Sequence, residues 1–251
     1  MLKNILIDSH AHLNFKDFEN DLEEVISRCR EEKMEIINIG AGMETSEKAV
    51  EIAEKYNMYA GIGLHPIHAE NEFDIGKLKD LAESKRVVAI GEIGLDYFKD
   101  YGKFKDKQKE IFIKQLDLAQ ELNLPVIIHC RMAHEDVLNI LKDYNLRGVI
   151  HCFTGTWVEA QRYLDLGFYL GMNGIMFKFN LKEVIEKTPI DKILLETDCP
   201  YLTPPSAPEK RNEPIFVKYT AQEIAKIKNI TFEEIAEATV KNTKNLFENM
   251  V

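Results

Sequence analysis

The feature that most constrains the fold of this chain is an alternation that repeats eight times. Short runs rich in Ile, Val and Leu alternate with longer amphipathic segments. Such short apolar runs are typical of parallel strands that are buried on both faces. We predict strands at residues 4–8, 36–39, 59–63, 87–91, 126–129, 148–151, 169–171 and 193–195.

The segments between these runs show helical spacing of apolar residues. We predict helices at residues 17–32, 45–56, 75–84, 105–122, 134–144, 157–166, 181–187, 214–228 and 231–247. Strands that alternate with helices form parallel sheets with right-handed crossovers, and eight such units close into a barrel. The prediction is therefore an α/β protein, a (β/α)8 TIM barrel formed by one domain over residues 1–251. An open doubly wound sheet is the alternative, but no glycine-rich phosphate loop follows the first strand.

Polar residues stand at or just beyond the ends of six predicted strands. They are five histidines and three carboxylates: His10, His12, His65, Glu92, His129, His151, Glu196 and Asp198. The carboxyl ends of all barrel strands meet at one face, so these residues are expected to converge there. Burying so many polar groups together is costly without a partner that satisfies them. A metal centre is such a partner.

The expected centre holds two divalent cations about 3.5–4 Å apart, the usual spacing of two-metal sites. The ligands are His10, His12, Glu92 and Asp198 for one ion, and Glu92, His129 and His151 for the other. Glu92 has two oxygens and is expected to bridge the ions. His, Asp and Glu ligands leave the metal open among Zn, Mn, Mg, Co and Ni.

Composition limits where and how the protein acts. The net charge of −10 argues against nucleic-acid binding by bulk electrostatics, although bound cations and local lysines would change the charge at one site. The lysines between positions 99 and 109 are interpreted as a solvated loop and helix start. The cysteines form no CxxC pair, and Cys130, Cys152 and Cys199 are expected to pack away from the site as reduced thiols. No membrane-spanning run and no signal sequence are visible, which favours a cytoplasmic protein.

Several motifs together resemble the TatD family of metal-dependent hydrolases. They are Asp8-Ser9-His10-Ala11-His12-Leu13, Gly63-Leu64-His65-Pro66, Gly91-Glu92-Ile93-Gly94-Leu95-Asp96, Pro125-Val126-Ile127-Ile128-His129-Cys130-Arg131, His151-Cys152-Phe153-Thr154-Gly155, Glu196-Thr197-Asp198-Cys199-Pro200-Tyr201-Leu202, Arg211-Asn212-Glu213-Pro214 and residues 242–247. The resemblance runs in order through essentially the whole chain.

This resemblance implies a barrel of the amidohydrolase type that hydrolyses phosphodiesters, typically in DNA. We expect a 3'-5' exonuclease, while endonuclease cleavage and the opposite polarity stay open as alternatives. The family's metal ligands carry over to His10, His12, Glu92, His129, His151 and Asp198. His65, Arg131 and Arg211 are similar to residues that contact substrate phosphate. Among the carboxylates, Glu92, Glu196 and Asp198 are the catalytic candidates. Asp198 is the expected general base, and Glu196 either assists it or orients a ligand.

Other functions stay open at this stage. A cyclic amidase or lactonase on a similar barrel often bridges its metals with a modified lysine after strand four, where this chain has Glu92. D-aminoacyl-tRNA deacylases occur among TatD-like proteins, and RNA is an alternative substrate to DNA. A metal-binding scaffold without activity would be expected to lack part of the ligand set. We expect a monomer with no obligate protein partner.

Overall fold

Eight parallel strands form the centre of the protein in a computed structural model that describes residues 6–250. The strands are β1 (Ile7–Ala11), β2 (Glu35–Ile39), β3 (Tyr59–Ile62), β4 (Val87–Asp96), β5 (Val126–Arg131), β6 (Gly148–Ile150), β7 (Tyr169–Met172) and β8 (Ile193–Leu195). They pair in sequence order from β1 to β8. The segment after β8 returns to β1, where Asp198 N donates to His10 O at 2.9 Å and His12 N donates to Cys199 O at 3.0 Å. The sheet is thus a TIM barrel, as predicted.

Helices follow the strands around the outside. They are α1 (Leu22–Glu31), α2 (Met43–Tyr56), α3 (Ile75–Leu81), α4 (Lys105–Leu122), α5 (His134–Leu141), α6 (Trp157–Asp165), α7 (Lys182–Lys187), α8 (Val217–Lys228) and α9 (Phe232–Leu246). The predicted bounds of α4 and β8 agree residue for residue. The helix α9 begins with the expected capping box, in which Thr231 and Glu234 bond to each other's backbone N–H groups.

Two apolar layers hold the barrel together. The larger layer lies between strands and helices and includes Phe18, Phe112 and Phe153. The smaller one gathers residues from seven of the strands, including Ile37 and Ile127, with Phe247 from the end of the described chain. Since side chains alternate along a strand, the smaller cluster fills the inside of the barrel below the mouth.

Most predicted bounds differ from the structure by one to three residues, and two strands that carry site residues differ more. The first strand was predicted at 4–8, but it spans Ile7–Ala11, and positions 4 and 5 lie outside the described residues. The fourth continues to Asp96, so Glu92 lies within it rather than after it. Both strands carry polar side chains, and in a sequence such residues indicate the end of a buried strand. The groups that satisfy them inside the strand come together only in the folded chain.

The helix predicted at 17–32 is divided in two. A 3-10 helix covers Lys16–Phe18, and α1 begins only at Leu22. Asn20 and Asp21 lie between them and are poor helix formers. Among residues 6–250, no helix has both the length and the apolar character needed to cross a membrane.

Candidate metal centre

The predicted ligands come together at the carboxyl ends of the strands. His10 is in β1, Glu92 in β4 and His129 in β5, while His151 directly follows β6 and Asp198 follows β8. Most of these side chains are buried, and His10 has no exposed surface. Residues from five strands thus meet at the mouth of the barrel.

One oxygen of Glu92 faces the first pair of histidines. Glu92 Oε2 lies 3.4 Å from His10 Nε2 and 3.7 Å from His12 Nε2. Asp198 Oδ1 lies 3.4 Å from His12 Nε2 and 4.0 Å from His10 Nε2. These four side chains surround one small space, as expected for the first ion.

The other oxygen of Glu92 faces a second group of histidines. Glu92 Oε1 lies 2.9 Å from His129 Nδ1 and 3.7 Å from His151 Nε2. His65 joins this group, because its Nε2 lies 3.4 Å from the same oxygen. Glu92 therefore stands between two groups of nitrogen donors, with one oxygen directed at each.

The donors at these two positions fit bound metal. Among the described residues, four triads have ligand atoms within 4.8 Å of one another: His10, His12 and Glu92; His10, His151 and Glu196; His65, Glu92 and His129; and His151, Cys152 and Asp198. The Nε2 atoms of His10 and His12 approach to 3.2 Å in a fully buried place. Converging imidazole and carboxylate groups of this kind are the ordinary ligands of divalent transition metals.

The charges of the site divide the histidines into two kinds. Burial lowers the pKa of His10 and of His65 to about 4, so both are neutral imidazoles, each with one donor and one acceptor nitrogen. In His65 the acceptor Nδ1 receives a hydrogen bond from Ile67 N at 3.1 Å. For His151 burial also acts to lower the pKa, but Glu196, Glu92 and Asp198 outweigh it and raise the pKa to about 10. A cation bound beside these carboxylates would take the place of the proton on His151.

Carboxylates also stand behind the histidines. Asp96 Oδ2 lies 3.1 Å from His129 Nε2, and Glu196 Oε1 lies 2.9 Å from His151 Nδ1. A carboxylate on the far nitrogen of a metal-binding histidine fixes the ring and increases its basicity. Asp96 belongs to the Gly91–Asp96 motif, but no role was predicted for it. Its signal was its place in β4, four residues after Glu92.

A buried aspartate links the two ends of the site. Asp8 accepts hydrogen bonds from the hydroxyl and the N–H of Thr197 at 2.6 and 2.9 Å. This holds the segment after β8 against β1, so that Asp198 can adopt a left-handed backbone with φ 57°. No role was predicted for Asp8 from the sequence. A carboxylate within an apolar strand, two residues before His10, was the available signal.

The two predicted phosphate-binding arginines lie in different surroundings. Arg131 is exposed at the end of β5, with its guanidinium 3.7 Å from the centre of the Phe98 ring. Arg211 instead forms hydrogen bonds to Asp21 at 2.8 and 2.5 Å and to Glu213 at 3.1 Å. The structure thus brings Arg131 to the mouth with its charge available, while the charge of Arg211 is already balanced.

The thiols follow the expectation with one exception. Cys130 and Cys199 are buried, and Cys130 Sγ lies 3.2 Å from His134 Nδ1 on the helix side of β5. Cys152 does not face the helices, because it follows β6 in a left-handed turn (φ 47°), where strand alternation no longer applies. Its thiol lies among the donors of His151 and Asp198.

Comparison with known proteins agrees with this geometry. The sequence model of a family described as TatD related DNase matches residues 7–248. The metal-dependent hydrolase YabD of Bacillus subtilis, itself uncharacterized, is 47% identical over 97% of this chain and 99% of its own length. The 3'-5' ssDNA/RNA exonuclease TatD of Erwinia tasmaniensis is 35% identical over 96% of this chain and 99% of its own.

Solved structures show the same fold. The TatD homologue YJJV of Escherichia coli superposes with a TM-score of 0.90 at 31% identity, covering 97% of this chain and 98% of its own. A TatD family hydrolase of Entamoeba histolytica gives a TM-score of 0.88 at 28% identity, covering 96% and 97%.

Proposed function

Because this chain belongs to the TatD family of metal-dependent hydrolases, we propose that it is a deoxyribonuclease of the 3'-5' exonuclease type that works with two divalent metal ions. The observation that carries the proposal is the position of Glu92. Its two oxygens face two separate groups of histidines, as a carboxylate that bridges two cations must. Phosphodiester hydrolysis is a reaction to which paired cations are suited, since both the attacking and the leaving oxygen develop charge.

Metal ions bound here would lower the pKa of a water molecule and offset charge on the phosphate. In this proposal His10, His12, Glu92 and Asp198 hold one ion, and Glu92, His129 and His151 hold the other. In the same proposal His65, which lies beside Glu92, donates to a phosphate oxygen of the substrate.

Asp198 is the proposed general base. Its side chain is 16% exposed, against 5% for Glu92, so it is the carboxylate of the cluster that is most open to a water molecule from the mouth. Glu196 has no exposed surface and accepts a hydrogen bond from Cys152 N at 2.7 Å. We therefore assign Glu196 to the orientation of His151, the second of the two roles considered for it, and Asp198 to the proton transfer.

The proposed substrate is DNA, with RNA as the closest alternative. The Erwinia relative bears the name of an exonuclease for both single-stranded nucleic acids. Removal of a D-amino acid from tRNA is the second candidate, because it needs the same activated water but attacks a carboxylic ester. A cyclic amidase or lactonase is less well supported, since Glu92 occupies the place of the modified lysine. A cytoplasmic location and a monomeric state remain predictions.

End-labelled single-stranded DNA incubated with the purified protein tests the proposal. Mg²⁺ or Mn²⁺ should support stepwise shortening from the 3' end, and EDTA should stop it. His129→Ala should lose the activity, while Lys114→Ala, a change on an exposed face of α4, should keep it. A protein that holds two metals per chain but leaves DNA and RNA intact would refute the nuclease. Release of D-amino acids from charged tRNA would then support the second candidate.

A further inference from the structure

Charge is unevenly distributed around the mouth of the barrel. The segments after β1, β2 and β3 (residues 12–21, 40–42 and 63–74) contain six carboxylates and one lysine. Residues 97–104, 131–133, 151–156 and 173–181, which lie around the ends of β4 to β7, contain four cations and one carboxylate. Apart from the segment after β8, one half of the mouth is therefore acidic and the other basic, although the chain as a whole carries a net charge of −10.

The basic half and the first residue of α4 together form a compact group, the cationic rim, which consists of Lys99, Lys105 and Arg131 against Tyr97 and Phe98. The Arg131 guanidinium lies 3.7 Å and Lys99 Nζ 4.9 Å from the centre of the Phe98 ring. Lys105 Nζ lies 4.3 Å from the centre of the Tyr97 ring. Such cation–π contacts hold long side chains in place without neutralising them.

None of the three cations has a carboxylate within ion-pairing distance in the part of the chain that the structure describes. Two other basic residues at the mouth differ: Lys103 pairs with Asp100, and Arg211 with Asp21 and Glu213. A cation that is held in place but not paired can bind an external anion without first breaking an internal contact. The cationic rim therefore has the properties of a preformed anion-binding surface.

The cationic rim is continuous with the metal centre. Arg131 follows His129 by two residues on β5, so both side chains leave the strand on the same face, about 7 Å apart along it. Phe98 N donates to Asp96 Oδ1 at 2.9 Å, and the other oxygen of Asp96 lies 3.1 Å from His129 Nε2. An anion on the rim would thus lie next to the ligands of the second ion.

We propose that the single strand crosses the β4–β5 side of the mouth, with the phosphates beyond the scissile bond bound by Arg131, Lys99 and Lys105. The proposal rests on the proposed function and adds the path of the substrate. Phe98 is a positioning residue, because its ring holds the Arg131 guanidinium in one place at the mouth. Met132, which is 69% exposed, offers an apolar surface to an unstacked base. The acidic half repels the same backbone, so the strand has one favoured direction of approach.

Binding can be measured without cleavage. A fluorescein-labelled single-stranded oligonucleotide with phosphorothioate linkages keeps the backbone charge but resists hydrolysis, so metal-loaded protein can be titrated by anisotropy between 50 and 200 mM NaCl. The test variant is Lys99→Gln/Lys105→Gln/Arg131→Gln. The matched control is Glu70→Gln/Glu72→Gln, which removes two exposed charges from the acidic half.

Each phosphate contact contributes about 0.7 to the salt slope on a single strand. Losing three contacts should lower the slope by about 2, so the wild type should lose about 20-fold more affinity than the test variant over this salt range. The control should keep the wild-type slope. Phe98→Leu should weaken binding, and Phe98→Tyr should restore it.

A test variant with the wild-type slope would overturn the path, as would a control that lowers the slope as much. These results are separate from cleavage of ordinary DNA. If the wild type cleaves DNA but the rim variant keeps its slope, only the path is wrong. If the slope depends on the rim but no nucleic acid is cleaved, the path stands and the nuclease does not. Absence of any binding would overturn both.

Discussion

Replacing Glu196 by glutamine tests whether the carboxylate beside His151 Nδ1 supports metal binding at the candidate centre. The carboxylate is fully buried, lies 2.9 Å from His151 Nδ1 and accepts hydrogen bonds from Cys152 N and Asn173 Nδ2 at 2.7 and 2.9 Å. An amide oxygen can keep both hydrogen bonds from Cys152 and Asn173. What is lost is the negative charge behind His151, so the change alters electrostatics with little change in shape.

The expected effect is a loss of metal affinity. Removing the carboxylate behind a ligating histidine typically costs 10- to 100-fold, equivalent to about 1.4–2.7 kcal/mol. We expect a loss of this size at the ion that His151 binds, with the other ion less affected. At saturating metal kcat should recover largely, because Glu196 does not touch the substrate.

Competition with a chromophoric chelator measures the metal affinity, and kcat is followed over a metal titration. The matched control is Glu213→Gln, another buried carboxylate, which forms a two-point ion pair with Arg28. That variant should lose stability while its metal affinity stays unchanged. Unchanged affinity in Glu196→Gln with a low kcat at saturating metal would contradict the argument and make Glu196 a catalytic residue. An equal loss of metal affinity in both variants would indicate that the loss comes from lower stability of the whole fold and not from the charge behind His151.

Three further results follow from the structure. His10→Ala with His12→Ala should lower the metal content measured by emission spectroscopy from two ions per chain to one; unchanged content would refute the ligand assignment. Stripping metal with EDTA should lower Tm by about 5–10 °C in a calorimeter, because a ligand at 100 times its Kd stabilises the folded state by about 2.7 kcal/mol; a constant Tm would mean that the fold does not bind metal. Gly94→Ala should lower the free energy of unfolding by about 3 kcal/mol or more, because φ is 142° and the added Cβ would lie 2.0 Å from His129 O. The control Gly167→Ala, at φ 88° with open space around it, should lower it by about 1 kcal/mol. Equal losses in chemical unfolding would contradict the close approach of β4 and β5.

Much of the fold was accessible from the sequence because its signals are local. The buried strands are apolar runs, and a capping box such as that of Thr231 and Glu234 marks a helix start within four residues. The bounds of the strands that contribute to the site were harder to predict. The polar residues of β1 and β4 look like strand ends, and only the folded barrel supplies the partners that keep them in the sheet.

The ligand positions could be predicted from one rule, which is that the carboxyl ends of all barrel strands meet at one face. The contacts behind the ligands could not be predicted from this rule alone. Asp8 and Asp96 act through Thr197 and His129, and these pairs form only after the barrel closes or β4 and β5 align. The prediction for Cys152 was wrong because strand alternation was applied two residues beyond the end of β6 at Ile150. Pair contacts between distant segments leave little trace in a single sequence.

The junction between β1 and the segment after β8 has a consequence for biosynthesis. The ribosome makes His10 and His12 first, but Asp198 and the backbone groups that join it to β1 come almost two hundred residues later. A nascent chain that stops after β7 has most of the histidines and no closed barrel to hold them. Hydrolytic activity would therefore start only after the segment beyond β8 has been made, so fragments that stop before it would be inactive.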